Sequence, residues 1–442
     1  MSRKAAFHNL GCKVNSYEMD VMLQELKNKG YEIVPFEEKA DIYIVNTCTV
    51  TNIADRKSRQ MLHKAKKTNP EGIVVAVGCY VQSDTQGARE DDAVDLIIGN
   101  NKKKDLVSIL ENYMNGVEEE AVIDINHTDE YEEMKLTGTQ EHTRAYIKIQ
   151  DGCNQFCSYC LIPYARGRVR SRKSEDIVEE ITGLAQAGYQ EFVLTGIHIS
   201  SYGIDFEEKG RAVYGAETNW HLLKLLQEVD KIPGVTRLRL GSLEPRVVTE
   251  DFCRRLSVFS NLCPQFHLSM QSGSDTVLSR MKRKYDTARY YQSVELLRKF
   301  FPECAVTTDM IVAFPGETEE EFAESLAFIR KCAFADMHIF PYSRRPGTPA
   351  DKMPGQHNNA TKETRSRAAI ALAEEMSQAY REGFVGRTLE VLFEEREGEF
   401  YTGHAPNYIK VYARGENLHN EIRTVTVLEV YRDGVLAQLK ES

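Results

Sequence analysis

The chain of 442 residues carries 66 acidic against 56 basic side chains, a net charge of −10. That balance excludes a uniformly basic nucleic-acid coat, so any RNA or DNA partner would have to be met by local patches. At 42 % hydrophobic and 28 % charged, the composition is that of an ordinary soluble globular protein with about three domains.

Residues 1–116 alternate strand and helix signals. Strands are expected at Lys4–Leu10, Asp41–Asn46, Ile73–Val77 and Val94–Ile98, whose nearly continuous apolar runs suit a buried parallel sheet. Helices are expected at Ser16–Lys29, Ala54–Lys67 and Lys102–Met114, the first stopped by Gly30. This alternation predicts an open α/β domain. Cys12, Cys48 and Cys79 each follow one of its strands, and parallel strands end on one ligand-binding edge. Three cysteines distant in sequence therefore converge on one crevice, with Gly11 and Gly78 leaving room for a bulky group.

Residues 117–142 are acidic and weakly periodic, as a linker would be. From 143 to 375 repeated strand-then-helix patterns predict a parallel barrel or partial barrel, with its chemistry at the C-terminal strand ends. That rule marks Gly196, Ser242, Glu244, Gln271, Gly273, Pro315, Gly316 and Tyr342 as lining the mouth. A helix over 358–383 leads into a third unit, taken as 376–442, where five short strand-like runs predict a small OB-like β-barrel.

The densest chemistry lies at Asp151–Arg168, DGCNQFCSYCLIPYARGR, with Cys153, Cys157 and Cys160 spaced C-x-x-x-C-x-x-C. Structural zinc takes four protein ligands and iron–sulfur clusters normally four cysteines. Three imply a distant fourth ligand or an iron left open for a small molecule. No apolar run approaches the ~20 residues of a membrane helix. The opening MSRKAAFHNLGC has no signal-peptide apolar core. Ten cysteines without an export signal then point to the cytoplasm, and to metal binding or catalysis over disulfides. Cys253, Cys263, Cys304 and Cys332 fit no motif and are expected to pack in cores. Basic residues gather at Arg166, Arg168, Arg170, Arg172 and Lys173, along Arg56–Lys67, at Arg280–Lys284 and at Arg344–Arg345, where RNA phosphates could be held.

The loop resembles that of the radical S-adenosylmethionine (SAM) enzymes. With GCKVN at Gly11–Asn15, NTCTVTNIADRKSR at Asn46–Arg59 and GCYVQ at Gly78–Gln82, it resembles the methylthiotransferases. CNQFCSYC followed by IPYARGRVRSR is most similar to those acting on threonylcarbamoyladenosine in tRNA. The resemblance covers essentially the whole chain and implies an N-terminal methylthiotransferase domain, a radical SAM partial barrel and a C-terminal TRAM domain. It implies two [4Fe–4S] clusters: one on Cys153, Cys157 and Cys160 that binds and cleaves SAM, the other on Cys12, Cys48 and Cys79 that carries the sulfur. One SAM would methylate that sulfur and a second would generate the radical that activates an adenine carbon.

Tyr159 would pack the adenine of SAM, and Gly196, in LTGIHISSYG, would hold its methionyl end. Ser242, Glu244, Gln271 and Ser272 would line the same mouth. Ala313 stands where the family usually has glycine, which implies a slightly altered fit near SAM. Arg166, Arg168 and Arg170 would grip the RNA backbone, and Arg344 or Arg345 the threonylcarbamoyl carboxylate. Implied partners are tRNA, a reductant such as flavodoxin or ferredoxin, and a sulfur donor of unknown identity. Relatives acting on isopentenyladenosine or on a ribosomal-protein aspartate differ after Gly11 and around Cys157. A non-catalytic metal-cluster RNA-binding protein is the alternative of another class.

Overall fold

The computed structural model describes residues 3–117, 119–138, 143–206 and 219–440. Lys4–Asn9 (β1), Glu32–Val34 (β2), Ile42–Thr47 (β3), Ile73–Gly78 (β4) and Leu96–Ile98 (β5) form a parallel sheet in the order β2-β1-β3-β4-β5. The six residues of β3 are all buried, which explains a continuous apolar run in place of alternation. Helix α1 spans Lys13–Asn28, three residues ahead of the expected start at Ser16, because Cys12 itself adopts the extended N-cap conformation. Helix α2 (Asn52–Thr68) is capped by the Thr51 hydroxyl, which accepts from the Ala54 N–H.

The central unit contains two sheets. Arg144–Asp151 (β6), Arg170–Ser171 (β7), Glu191–Gly196 (β8) and Arg237–Leu240 (β9) are ordered β7-β6-β8-β9, and β7 runs antiparallel to β6. Gln265–His267 (β10), Ala305–Val312 (β11) and Asp336–Pro341 (β12) form a parallel sheet. Isolated parallel bridges, Leu238 to Leu262 and Leu243 to Leu268, join the two into a partial barrel. Helix α1 packs on β6 and β8 as well as on its own sheet, so it is the wedge between the first two units. This explains why Asn15, Tyr17, Glu18 and Gln24 are buried beside its apolar residues.

Residues 119–138 are not a solvent-borne linker. Ala121, Met134 and Leu136 enter the main core, the Tyr17 hydroxyl donates to the Met134 carbonyl at 2.5 Å, and the Leu136 N–H donates to Glu180 Oε1 at 2.6 Å. Composition misled here because the acidic side chains lie between buried apolar ones. Residues 118 and 139–142 of that segment lie outside the described residues.

The third unit is a closed barrel of Thr388–Glu397 (β13), Phe400–His404 (β14), Lys410–Ala413 (β15), Ile422–Tyr431 (β16) and Gly434–Leu439 (β17). The preceding helix runs unbroken over Asn359–Glu382 and packs on β12, so a boundary at 376 falls inside it and the barrel starts at Thr388. The barrel docks where the central strands begin. Glu191 on β8 is buried among Arg144, Arg237 and Arg239, and Arg144 Nη2 reaches Glu394 of the barrel at 2.9 Å. Arg239 Nη1 and Nη2 donate to the carbonyls of Pro406 and Ala405 at 2.7 and 2.9 Å. Cys253, Cys263, Cys304 and Cys332 are buried, as expected of packing residues.

Candidate active site

Strands β1, β3 and β4 are adjacent and in register, Asn9 opposite Asn46 and Thr47 opposite Gly78, so Cys12, Cys48 and Cys79 leave one edge together. Gly11 (φ +111°) and Gly78 (φ +100°) occupy the left-handed side of backbone space. A Cβ on Gly11 would lie 3.2 Å from Cys48 Sγ and 3.0 Å from Asn15 Nδ2. Asn15 Nδ2 donates to the carbonyls of Leu10 and Thr47 at 2.6 and 3.0 Å, pinning the Cys12 and Cys48 loops to each other. Burial pushes the Cys48 thiol up to about 12, and Cys79 and Cys12 nearby add to the shift.

The second triad is held by a tight return of the chain. A Cβ on Gly152 (φ +71°) would overlap the Arg168 carbonyl, and the Cys153 N–H donates to the Gly167 carbonyl at 3.0 Å. The Ser158 N–H donates to Met281 O at 3.0 Å, and Ser158 O accepts from the Ala350 N–H at 2.8 Å, which anchors the loop to two other segments. Burial raises Cys153 to about 11, and Cys160 is pushed further by burial together with Cys157 and Cys153. Neighbouring thiols add to the upward shifts of Cys12 and Cys48 in one triad and of Cys153 and Cys160 in the other, a conflict that a shared cationic centre relieves.

The donor sets fit iron–sulfur clusters. Each consists of three cysteines, the ligand type that such clusters take. Among the described residues no three His, Cys, Asp or Glu side chains stand close enough for a single metal ion. Zinc at ~2.3 Å draws its sulfurs closer together than the corners of a cubane do.

Tyr159 lies between the second triad and the segments after β11 and β12, edge-on to Phe314 at 6.3 Å, with Phe314 in turn edge-on to Tyr342. Gly196 ends β8, and a Cβ there would sit 2.9 Å from Gln150 O. Glu244 is nearly buried and accepts from Arg246 Nε at 2.6 Å, whereas Ser242 is exposed. Gln271 takes φ +70° beside Met310. Ser272 does not line a mouth: it is fully buried, with its hydroxyl 3.3 Å from Ser325 Oγ on the helix Glu319–Cys332. It lies beyond β10, just after the left-handed Gln271, where the chain turns toward that helix. Ala313 has φ +57°, a conformation that favours glycine, and its N–H donates to Glu317 Oε2 at 2.7 Å. Ala313→Gly is expected to relieve strain of about 1 kcal/mol, partly offset by unfolded-chain entropy, so Tm measured by calorimetry should move by only a few degrees.

The arginines differ most from expectation. Arg166 and Arg170 are 1 % exposed, too buried to grip an RNA backbone, and Arg345, 4 % exposed, is too buried to meet a threonylcarbamoyl carboxylate. Arg166 and Arg170 face Asp151, and Arg172 pairs with Glu180. Arg345 Nη1 pairs with Asp55 Oδ2 at 2.7 Å, and its Nη2 donates to Thr49 Oγ1 at 2.7 Å, so it latches residues 340–350 onto the loop after Cys48. Arg345→Ala is expected to cost about 2–3 kcal/mol, read as a lower first unfolding transition. Arg168 is exposed with its guanidinium 4.4 Å from the Phe156 ring centroid, and exposed Arg344 pairs with Asp351 at 2.6 Å. Arg56, Lys57, Lys282 and Lys284 are also exposed.

Sequence reasoning placed Arg283 in a surface patch, yet its Nη1 donates to Cys157 Sγ at 3.2 Å. It also missed His198, which burial, Arg283 and Arg246 lower to about 4, leaving it neutral at pH 7. Its signals were its place two residues past a strand end and inside LTGIHISSYG. Glu18 carried no motif signal, and only α1 as a wedge reveals it.

Residues 4–99 match Uncharacterized protein family UPF0004 and residues 147–329 match the Radical SAM superfamily. The threonylcarbamoyladenosine tRNA methylthiotransferase MtaB of Bacillus subtilis is 38 % identical over 99 % of this chain and 97 % of its own. That of Aquifex aeolicus is 39 % identical over 93 % and 97 %.

The chain belongs to the radical SAM tRNA methylthiotransferases. A tRNA-2-methylthio-N(6)-dimethylallyladenosine synthase of Acidothermus cellulolyticus is 34 % identical over 95 % of this chain and 84 % of its own. Among solved structures, the radical SAM methyltransferase TsrM of Kitasatospora setae shares the fold, with a TM-score of 0.58 and 17 % identity over 79 % of this chain and 74 % of that one. Family membership makes this an enzyme that uses SAM and [4Fe–4S] clusters, acts on tRNA and needs a reductant. Among the described residues no helix is long and apolar enough to cross a membrane.

Proposed function

We propose that the chain methylthiolates the adenine of threonylcarbamoyladenosine beside the tRNA anticodon, giving the 2-methylthio derivative, and does so in the cytoplasm. The observation that carries the reading is the meeting of two three-cysteine sets from different units, joined through the buried Arg166 to Asp151 just before Cys153 and to Cys79. Relatives bearing the threonylcarbamoyladenosine name are 34–39 % identical, those bearing the dimethylallyladenosine name 32–36 %. That difference supports the substrate.

Cys153, Cys157 and Cys160 would hold the cluster that binds SAM, and Cys12, Cys48 and Cys79 the cluster whose open iron carries sulfur. Bound there, these groups would supply one-electron cleavage of SAM and a transferable sulfur. The chain's own share is positional. Tyr159 packs one wall, Glu244 is a hydrogen-bond acceptor suited to ribose, and neutral His198 can donate or accept without adding charge. Exposed Arg56, Lys57, Arg168, Lys282 and Lys284 supply the cations for RNA phosphates, and Arg344 remains the exposed cation for the threonylcarbamoyl carboxylate. Flavodoxin or ferredoxin would supply electrons.

Nucleoside mass spectrometry of tRNA from cells with and without the gene tests the substrate. Methylthio-threonylcarbamoyladenosine should vanish without it. Loss of methylthio-isopentenyladenosine in its place would transfer the chain to the other substrate class. Reversing Arg56 and Lys57 to glutamate is expected to lower tRNA affinity and to flatten its log–log salt slope by about two, measured by filter binding at several salt concentrations.

A further inference from the structure

One buried guanidinium touches both halves of the site. Arg166 Nε donates to Cys79 Sγ at 3.3 Å, and Nη2 donates to Asn15 Oδ1 at 2.6 Å, the atom 4.0 Å from Cys12 Sγ. Its Nη1 faces Glu18 Oε1 at 2.7 Å and Asp151 Oδ2 at 3.1 Å. Asp151 Oδ1 accepts from the Gly152 N–H at 2.8 Å, and the Gly167 carbonyl, next to Arg166, accepts from the Cys153 N–H. A single residue with its neighbour thus spans from the sulfur of one triad to the backbone of the other.

The charges around it do not balance. Lys103, Lys148, Arg166 and Arg170 are buried together, facing the carboxyls of Glu18, Asp151 and Glu132. Four cations against three carboxyls leave positive charge over. The Nε–H edge, which the carboxylates do not engage, is the one turned to Cys79. Asn100 Nδ2 approaches the same sulfur at 3.6 Å. A hydrogen-bond donor and a buried cation both favour the more negative, reduced state of a thiolate-bound iron–sulfur group.

We propose that Arg166 raises the reduction potential of the iron–sulfur group held by Cys12, Cys48 and Cys79 through its Nε–H on the Cys79 sulfur, and is the positioning residue between the triads. This rests on the reading of that triad as a cluster site, and the test separates the two. Full-length chain carrying Cys153→Ala, Cys157→Ala and Cys160→Ala keeps only one triad. After anaerobic reconstitution with iron and sulfide, about four irons per chain are expected; their absence sinks the cluster reading whatever Arg166 does.

With iron bound, Arg166→Lys retains the charge but removes the Nε–H, and Arg166→Gln removes both. Each should disfavour reduction by about tenfold or more, or 59 mV for one electron, in a titration followed by electron paramagnetic resonance. Equal potentials at equal iron content overturn the proposal. Should neither variant fold, the triple-alanine chain with native Arg166 carries the test after labelling with ¹⁵N-guanidino arginine. Its reduced cluster must show a ¹⁵N hyperfine coupling, and the absence of one overturns the proposal equally.

Discussion

Cys157→Ala is expected to reduce both SAM cleavage and methylthiolation to background, whereas Cys48→Ala should lose only the methylthio product and keep SAM cleavage. The asymmetry follows from where the residues sit: Cys157 is in the loop after β6 and Cys48 is at the end of β3 in a separate sheet. Each loss should halve the iron content, from about eight to about four per chain. Deoxyadenosine and modified nucleoside are measured on the same reconstituted samples. A Cys48→Ala chain that still made the methylthio product would show that the strand-end triad does not deliver sulfur. Both changes shorten a side chain beside well-packed loops, so circular dichroism should remain that of the parent.

Removing a charge from the wedge helix is expected to have the largest effect on stability. Glu18 pairs with Lys103, with Lys148 at 2.7 Å and with Arg166 at 2.7 Å, all buried. Glu18→Gln leaves three cations short of a partner and should cost about 3–5 kcal/mol, seen as an earlier first transition in denaturant. Burial alone would raise the Glu18 carboxyl, but Arg166, Lys103 and Lys148 outweigh it and hold it well below the usual range. Asp151 is lowered in the same way, burial being opposed by Arg166, Lys148 and Arg170.

Glu191, where burial is outweighed by Arg239 and Arg144, lies at about 2. For groups lowered on folding, the stabilisation is complete above the unfolded value of about 4.5 and disappears as pH falls through the folded value. Acid should therefore loosen the joints of the three units, with the Glu191 joint failing between pH about 4.5 and about 2. Unfolding midpoints that did not change between pH 7 and pH 3 would contradict this.

Much of the architecture was legible locally. Continuous apolar runs identified β3 and β4 because both of their faces are covered, and strand-end placement of Cys12, Cys48 and Cys79 was legible because parallel strands share a polarity. Acidic side chains hid the packing of residues 119–138, where Met134 and Leu136 are buried. The start of α1 was misplaced because Cys12 caps it without a side-chain hydrogen bond, so no capping signature marks it.

By itself the sequence determined the two cysteine triads, the glycines that clear space for them and the three-unit order, since each depends on neighbours along the chain. Only the tertiary structure decided what the arginines do. A guanidinium reads the same in sequence whether solvent or Glu18 faces it, and α1 lying between two sheets turns Arg166 inward. Of the arginines expected to meet RNA, Arg166 and Arg170 instead face Asp151 while Arg168 stays exposed, because a buried cation is stable only where opposing charge or hydrogen-bond acceptors converge on it.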